Sequence, residues 1–316
     1  MKRKTQRILF SIMFLATCLL ALPVAQAANP NQIAILRWYQ GNAGFDNIET
    51  GQYAEAIAFD GTNMWVVNSL DKTVTKLRAS DGAKLGTFSV QGGNVSLTAI
   101  AFDGTSLWVT YDAGSFPGGV VKLSLKGAVR GTYTLGVRPS GIAYDGTYIW
   151  VTNNGGNNVS KLSLNGNVLK NFTVGSGPKG IAFDGTYIWV ANHDSGNVSR
   201  LNRRGQVTGT FPVGNGPTGV AFDGSSIWVT NSLSHNVTKL SRNGASQETF
   251  AVGNTPLGLA FDGEAIWVAN SQSYNMTKLS LNGATLGTFP LNPDPSAVAF
   301  DGTKIWVTYN YGVSRR

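Results

Sequence analysis

An Asp-Gly pair followed by a tryptophan recurs seven times along this chain, and its period constrains the fold more than any other feature. The aspartates are separated by 43 and 42 residues and then four times by 39 residues, and a tryptophan always follows five residues later. Near-identical units of about 40 residues are typical of propellers and solenoids. The aspartates are Asp60, Asp103, Asp145, Asp184, Asp223, Asp262 and Asp301.

Each unit divides into four short strands, as the copy that begins at Gly180 shows. "GIAFD" and "YIWVAN" flank an Asp-Gly-Thr turn, which is a strong hairpin signal. The loop "HDSG" leads to "NVSRL", and the turn "NRRG" leads to "QVTGTFPV". No segment has a useful length of helical period, so the units predict an all-β fold. We expect a seven-bladed β-propeller of four-stranded antiparallel blades.

The two ends of the chain indicate how the ring closes. The last unit supplies a first strand at Ala297–Asp301 and a second at Lys304–Tyr309, but the chain stops before a fourth. A strand-like segment without a partner, Gln32–Tyr39, precedes the first full unit. We therefore expect an N-terminal outer strand to join the C-terminal blade, which removes the exposed edges of an open array.

Residues 1–27 have the pattern of a cleaved signal peptide. A basic start is followed by an apolar run, Ile8–Val24, and by a small-x-small site at Ala25–Ala27. Cleavage would leave residues 28–316 as a single propeller domain without a transmembrane anchor, exported to the periplasm or the extracellular space. An alternative is lipidation at Cys18, although the apolar run continues past that residue.

Cysteine content and charge narrow the class of partner. The one cysteine lies within the first 27 residues, so disulfides are not expected to hold the mature domain together. The net charge is +8, and four positive charges lie in the same segment, so the mature chain retains +4 without a basic tract. That balance does not predict a nucleic-acid partner. We expect the mature protein to be a monomer.

The sequence of the repeat resembles that of a known class of protein. "WVTN" at Trp150–Asn153 and Trp228–Asn231, followed by "NVSKL" and "NVTKL", resembles the YVTN-type β-propeller repeat of exported bacterial and archaeal proteins. The repeat length and blade count are similar to those of the streptogramin B lyase propeller. This second resemblance implies a divalent metal such as Mg²⁺ and a histidine–glutamate constellation on one face.

The lyase residues do not transfer position by position. Of the four glutamates, Glu248 maps to a fourth strand and Glu264 to a turn on the opposite face. His193 and His235 follow their aspartates by nine and twelve residues, so they occupy different positions of the repeat. No catalytic residue is assigned, and His193, Asp194 and His235 are the weak candidates for a metal site.

The residues that recur in every unit are expected to be structural. One tryptophan per blade suits packing between sheets, and aspartate suits hairpin turns. A basic residue also recurs in the third strand and is expected to form a solvated belt whose stems cover apolar neighbours. Its members are Lys76, Lys122, Lys161, Arg200, Lys239 and Lys278.

Function is expected where one face departs from the repeat. The loops from second to third strand and the connections between blades share that face, and loops often carry binding residues. Gln40–Tyr53 has no counterpart in the other units, Gln91–Thr98 is enlarged, and Tyr111–Gly119 carries a three-residue insertion. The candidate ligand-binding residues are Asn68, Tyr111, Asp112, Arg138, Asn153, Lys179, Asn192, His193, Asp194, Asn231, His235, Asn270 and Tyr309.

Amide and phenol groups on this face suit sugars, peptides or other polar ligands. The alternative for the asparagines is that they cap strand ends and order the loops. We expect a non-catalytic binding module that needs no cofactor and presents this face to a protein, a cell-wall polymer or a glycan of the cell envelope. The alternative function is a Mg²⁺-dependent lyase similar to streptogramin B lyase.

Overall fold

A computed structural model of the chain describes residues 45–245 and 247–316. The predicted signal peptide, Cys18 and the segment Gln32–Tyr39 lie outside the described residues. Within the described ranges the chain forms 28 strands in seven four-stranded sheets, with a single 3₁₀ turn at Asn154–Gly156. The predicted seven-bladed propeller is confirmed. No helix in these ranges has the length and apolar composition needed to cross a membrane.

The strands follow the chain from β1 (Asp46–Glu49), and each blade holds four of them. Blade 1 holds β2 (Ala54–Phe59), β3 (Asn63–Asn68), β4 (Thr73–Arg78) and β5 (Lys84–Ser89). Blade 2 holds β6 (Ser96–Phe102), β7 (Ser106–Ala113), β8 (Phe116–Ser124) and β9 (Val129–Val137). Blade 3 holds β10 (Pro139–Tyr144), β11 (Ile149–Asn153), β12 (Asn158–Leu162) and β13 (Val168–Thr173).

The remaining blades repeat this order. Blade 4 holds β14 (Pro178–Phe183), β15 (Tyr187–Asn192), β16 (Asn197–Asn202) and β17 (Val207–Pro212). Blade 5 holds β18 (Pro217–Phe222), β19 (Ser226–Asn231), β20 (Asn236–Ser241) and β21 (Gln247–Ala251). Blade 6 holds β22 (Pro256–Phe261), β23 (Ala265–Asn270), β24 (Asn275–Ser280) and β25 (Thr285–Pro290). Blade 7 holds β26 (Val298–Phe300), β27 (Ile305–Tyr309), β28 (Gly312–Arg315) and β1.

The ring closes through an N-terminal outer strand, as predicted, but that strand consists of different residues. The outer strand of blade 7 is β1, which pairs antiparallel with β28 from Asp46 opposite Arg315 to Glu49 opposite Gly312. The assignment of this strand to Gln32–Tyr39 was therefore wrong, and Gln40–Tyr53 is not wholly a loop without counterpart. The segment Asp-Asn-Ile-Glu has a single apolar residue, Ile48, which packs against the cluster around Trp306. One apolar residue in four gives no alternating pattern, so the sequence does not predict a strand here.

The core lies between neighbouring blades. Six of the seven repeated tryptophans are completely buried, and Trp267 is 6% exposed. In blades 1 to 6 each tryptophan packs on a phenylalanine or tyrosine of its own fourth strand, with ring centroids 5.4–5.8 Å apart. Trp189 of blade 4 also contacts Ile227 and Val229 of blade 5. The structural role expected for the tryptophans is confirmed, because each one fills the space between two sheets.

The repeated aspartates form the hairpin turns, and they also anchor the tryptophans. In blade 4 the Asp184 Oδ1 accepts the backbone N–H groups of Thr186 and Tyr187 at 2.8 and 2.7 Å. Its Oδ2 accepts the indole N–H of Trp189 at 2.9 Å. The other six repeats have the same indole bond at 2.6–2.9 Å. Each carboxylate therefore joins the turn to the core, which explains the fixed spacing of five residues.

Five of the six basic residues of the third strands join blades, whereas Lys278 pairs with Asp262 of its own blade at 3.5 Å. Each one also lies over the tryptophan of its blade, as expected for the packing of the stems. The Lys122 ammonium lies 4.9 Å from the centroid of Trp108 and donates to the carbonyl oxygen of Leu164 in the next blade at 2.7 Å. Lys76, Lys161, Arg200 and Lys239 bond to the equivalent carbonyl of their next blade. Both contacts are favourable for a cation, so the side chain at this position links adjacent sheets.

Candidate functional site

The candidate site lies on the loop face, defined as the loops between second and third strands together with the connections between blades. The opposite face, with the turns between first and second and between third and fourth strands, is called the turn face. A cavity of about 610 Å³ lies among the first strands of all seven blades. One residue of each blade, five positions before the repeated aspartate, lines it; this axial ring is Glu55, Thr98, Ser140, Lys179, Thr218, Leu257 and Ser296.

Small residues beside the axial ring let the first strands come close together. A side chain at Gly180 would collide with the carbonyl oxygen of Thr218 in the next blade. Gly141, Gly219 and Gly258 meet the next blade's carbonyl in the same way. Glycine at these positions therefore permits the close approach of neighbouring first strands.

Hydroxyl groups of the axial ring tie neighbouring blades together. The Thr98 Oγ1 donates to the carbonyl oxygen of Pro139 in blade 3 at 3.0 Å and lies 2.7 Å from the Thr110 Oγ1 of its own second strand. The Ser140 Oγ donates to Pro178 in blade 4 at 2.9 Å. The Ser296 Oγ donates to Ala54 in blade 1 at 3.3 Å. The hydroxyl positions of the ring are therefore structural.

Three axial-ring positions depart from this pattern, and a second position of the repeat changes with them. Where the ring has serine or threonine, the residue seven positions after the aspartate is threonine: Thr110, Thr152, Thr230 and Thr308. Where the ring has Glu55, Lys179 or Leu257, that second position is apolar: Val67, Ala191 and Ala269. Lys179 is among the candidates predicted from the sequence, whereas Glu55 and Leu257 are not, although a comparison of these two positions across the repeats distinguishes all three.

Glu55 and Lys179 are the ionisable members of the axial ring. The Glu55 side chain is open to the cavity, yet protein encloses it, and this burial raises the pKa of its carboxyl although the charge of Lys179 lowers it. Burial lowers the pKa of the Lys179 ammonium, against the opposing charges of Asp194 and Glu55. Both shifts show that the cavity disfavours an uncompensated charge.

Further charges lie at the mouth of the cavity. Arg138, in the connection between blades 2 and 3, has a left-handed backbone with φ of 53° and lines the cavity together with Asp112. The Asp112 Oδ1 accepts the backbone N–H of Gly114 at 2.7 Å, which shapes the tip of the blade 2 insertion. An adjoining cavity of about 330 Å³ brings Asp294 beside Glu55. The acids that line the two cavities thus come from blades 7, 1 and 2, and the bases come from blades 3 and 4, where Asp194 also acts on Lys179.

The five candidate asparagines do not present their amides to solvent. Asn68, Asn153, Asn192, Asn231 and Asn270 are all completely buried. The Asn192 Nδ2 donates to Asn197 Oδ1 and Ser199 Oγ at 2.7 and 2.9 Å, and the others make equivalent bonds to their third strand. Their contacts support the alternative role of ordering strand ends, and a role in ligand binding stays a prediction without support from exposure.

The candidate tyrosines are also part of the blade walls. Tyr111 is 6% exposed and Tyr309 is 9% exposed. Each replaces the repeated asparagine, and its register partner is then a glycine, Gly119 or Gly312, where the other blades have asparagine or threonine. A side chain at either glycine would press on the tyrosine hydroxyl. The pairing is therefore steric, because a phenol ring needs the space that an asparagine side chain leaves free.

The histidine candidates do not form a metal site with Asp194 in this structure. The His193 Nδ1–H donates to the Asp194 Oδ1 at 2.7 Å. His235 instead accepts the backbone N–H of Thr255 on its Nδ1 at 3.1 Å. Within the described residues no group of three or more His, Cys, Asp or Glu side chains could hold a metal ion. The donor set therefore does not fit the divalent metal that the lyase resemblance implies.

Large apolar side chains form a rim on the loop face. Six are exposed there, and they define the apolar rim: Tyr53, Leu70, Phe116, Leu233, Tyr274 and Tyr311. Phe116, at the tip of the blade 2 insertion, is the most exposed at 74%. The other exposed large apolar side chains of the described chain lie in outer strands, and the turn face has none. Three rim members, Leu70, Leu233 and Tyr311, follow their repeated aspartate by ten residues, and the other three occupy different positions of the repeat.

Comparisons with known proteins establish the fold. No protein-family model matches the chain, and no curated protein matches it significantly. The chain is similar to the crystal structure of a catalytically inactive virginiamycin B lyase from Staphylococcus aureus with quinupristin, at a TM-score of 0.75 and 17% identity over 86% of this chain and 98% of that chain. A streptogramin B lyase structure gives a TM-score of 0.72 and 18% identity over 86% of this chain and 96% of that chain.

A third structure with the same architecture bears a different name. Hydrazine synthase from Kuenenia stuttgartiensis gives a TM-score of 0.72 and 18% identity over 85% of this chain and 97% of that chain. At these identities the likeness concerns the fold alone, and one fold hosts many chemistries. In fold, the chain is therefore a seven-bladed propeller like those of the streptogramin B lyases.

Proposed function

We propose that this protein is an exported, non-catalytic binding propeller whose apolar rim docks a protein partner. Export to the periplasm or extracellular space rests on the signal-peptide pattern of residues 1–27. The repeat wording supports kinship with exported propellers of the YVTN type. The observation that carries the binding function is the segregation of exposed apolar side chains, which occur at the loop face and not at the turn face.

The apolar rim has the chemistry of a protein interface. Its aromatic members, Tyr53, Phe116, Tyr274 and Tyr311, are of the types enriched at such interfaces. The rim covers blades 5, 6, 7, 1 and 2, while Arg138 and Lys179 contribute the basic groups of the mouth on the side of blades 3 and 4. Exposed apolar side chains that gather on one face, rather than scattering singly, mark interaction surfaces.

A protein fits the rim better than a glycan. Leu70 and Leu233 are 57% and 64% exposed, and aliphatic side chains gain little from the polar edges of a sugar. The asparagine amides that would suit a glycan are completely buried. The metal-dependent lyase has only the shared fold in its favour, since the donor side chains do not gather.

Replacing Leu70 and Leu233 together with serine is expected to weaken peptide binding at least tenfold. Each leucine would otherwise bury its exposed apolar area in the interface, and losing both removes about 1.4 kcal/mol or more. The probe is a phage-displayed library of random linear peptides, panned on the full chain. Dissociation constants of the enriched peptides would then be measured for the parent protein and the variant.

A matched control separates the rim from general surface hydrophobicity. Leu85 and Leu286 lie in outer strands and are 43% and 57% exposed, so serine at both positions should leave peptide affinity unchanged. Equal losses in the two double variants, or no enriched peptide, would contradict the proposed function. Rim-dependent binding to a glycan array without peptide binding would also contradict it and identify a glycan as the occupant.

A further inference from the structure

The axial ring has two charged side chains whose bonding capacity is unused. Hydroxyls at the equivalent positions of blades 2, 3 and 7 bond to the next blade. The Glu55 carboxylate and the Lys179 ammonium make no hydrogen bond or ion pair with any residue that the structure describes. They come from blades 1 and 4, on opposite sides of the axis, and influence each other only through their charges. The fold therefore does not need either charge for its own bonding.

Protein surrounds both charges in part: the Glu55 side chain is exposed to the cavity, and Lys179 is half-buried. A charge removed from water destabilises a protein unless a partner compensates it. The raised pKa of the Glu55 carboxyl and the lowered pKa of the Lys179 ammonium both arise chiefly from this burial. A ligand with the opposite charge at each end would compensate both groups at once.

The neighbouring charges extend this polarity across the mouth. Asp112 and Asp294 lie on the Glu55 side, and Arg138 lies on the Lys179 side. The Arg138 guanidinium also makes no hydrogen bond or ion pair with the described residues. The cavity thus presents an acidic side around Glu55 and a basic side at Lys179 and Arg138, with Asp194 as a carboxylate near Lys179. Complementary charges fix the orientation of a ligand.

We propose that the axial cavity binds a short zwitterionic peptide, with its ammonium group at Glu55 and its carboxylate at Lys179 and Arg138. Guanidinium and ammonium groups are the usual partners of a carboxylate. Leu257 supplies an apolar wall between the two ends, which favours apolar side chains in the ligand. The cavity volume of about 610 Å³ lies within the range of ligand pockets and exceeds the needs of one amino acid.

This site stands independently of the protein partner proposed for the apolar rim. Glu55 and Lys179 lie in the first strands β2 and β14, whereas the rim belongs to the loops. The double serine variant of Leu70 and Leu233 should therefore retain peptide binding in the cavity. Its result distinguishes a failure of the rim proposal from a failure of the cavity proposal.

The test is a calorimetric titration of the full chain with trialanine and trileucine. Each peptide is used with free ends, with an acetylated amino end and with an amidated carboxyl end, and free leucine is a fourth ligand. We expect saturable binding of at least one free tripeptide with a Kd below about 1 mM. Acetylation and amidation should each weaken it tenfold or more, because each removes one of the two charges. Equal binding of free leucine would identify amino acids as the source of the zwitterion.

Variants assign each end of the peptide to its partner. In Glu55→Gln, acetylation of the peptide should no longer weaken its binding. In Lys179→Gln, amidation should weaken binding less than it does in the parent protein; these losses of affinity are the two penalties. Glu264→Gln and Lys126→Gln make the same changes at exposed positions of the turn face and should retain both penalties. Penalties that persist in Glu55→Gln would overturn the assignment, as would the absence of saturable binding by any of the ligands.

The ligand-free protein provides a second readout. If Glu55 exists for a ligand, Glu55→Gln should not lower Tm, because the fold makes no bond to this carboxylate and the side chain is exposed to the cavity. A fall in Tm of about 2–4 °C would show that the carboxylate stabilises the ring, and would contradict the proposal.

Discussion

Asp184→Ala is expected to destabilise the propeller by about 3–5 kcal/mol, because one carboxylate satisfies several otherwise unpaired donors. Its Oδ2 accepts the indole N–H of Trp189, whose ring is completely buried. The Arg242 guanidinium of the next blade donates to the same carboxylate from 3.2 Å. Alanine would leave the indole donor without an acceptor in the core. For a domain of this size, the corresponding fall in Tm is roughly 10 °C.

The pH dependence of this loss has a definite sign. Burial alone would raise the pKa of the Asp184 carboxyl, but hydrogen bonds from Arg242, the Tyr187 amide and Trp189 hold it below its ordinary value of 3.8. A group with a lowered pKa in the folded state stabilises the fold above its ordinary pKa and loses that contribution as the pH falls. The difference in Tm between parent and variant should therefore be full near neutral pH and narrow below about pH 4.

Asp194→Ala is the matched control for this prediction. The Asp194 side chain is 64% exposed and bonds to His193 at the surface, so its removal should change stability by less than about 1 kcal/mol. Equal destabilisation by both substitutions would contradict the anchoring role of Asp184. Scanning calorimetry of the parent and both variants across this pH range supplies the measurement.

Tyr111→Ala is expected to cost about 3 kcal/mol of stability through the cavity it leaves. The ring is buried in the cluster that contains Val109 and Leu97, and its hydroxyl bonds to Thr134. Glycine at position 119 cannot fill the space. An exposed ligand contact, which was the expectation from the sequence, would instead predict nearly unchanged stability.

Two further substitutions make the measurement specific. Tyr111→Phe keeps the ring and loses one hydrogen bond, so the expected cost is about 1 kcal/mol. Tyr274→Ala removes a tyrosine that is 49% exposed on the apolar rim and should leave stability nearly unchanged. The denaturation midpoint should fall most in Tyr111→Ala, less in Tyr111→Phe and least in Tyr274→Ala. A Tyr111→Ala variant as stable as the parent would instead support Tyr111 as a ligand contact.

Local chemistry made most of the fold predictable. The Asp-Gly pairs specify hairpins by themselves, and the repeat number then determines how many blades close the ring. The closing strand was misplaced because β1 has one partly buried apolar residue in four, whereas the sequence Gln32–Tyr39 is more typical of a strand. β1 is stabilised by pairing with a strand at the distant C-terminus, and no local sequence pattern predicts that contact.

The site was less predictable, since exposure depends on neighbours in space. Asn192 and Tyr111 lie at strand ends, where a sequence pattern does not distinguish a side chain turned into the blade from one turned to solvent. Glu55 was accessible to sequence reasoning, because it occupies a position where four other repeats have serine or threonine. Its partner position, Val67, changes with it.

The central functional claim is that the loop face binds a partner rather than holding a catalytic metal. The direct measurement is thermal denaturation of the chelator-treated full chain during titration with Mg²⁺, Mn²⁺ and Zn²⁺. A true site would stabilise the protein by about 2.7 kcal/mol at a hundredfold excess of metal over its Kd. Because His193 and His235 have separate partners, we predict no saturable stabilisation by any of the three ions. A saturable rise in Tm that disappears in His193→Ala would contradict this account and favour a metal-dependent lyase.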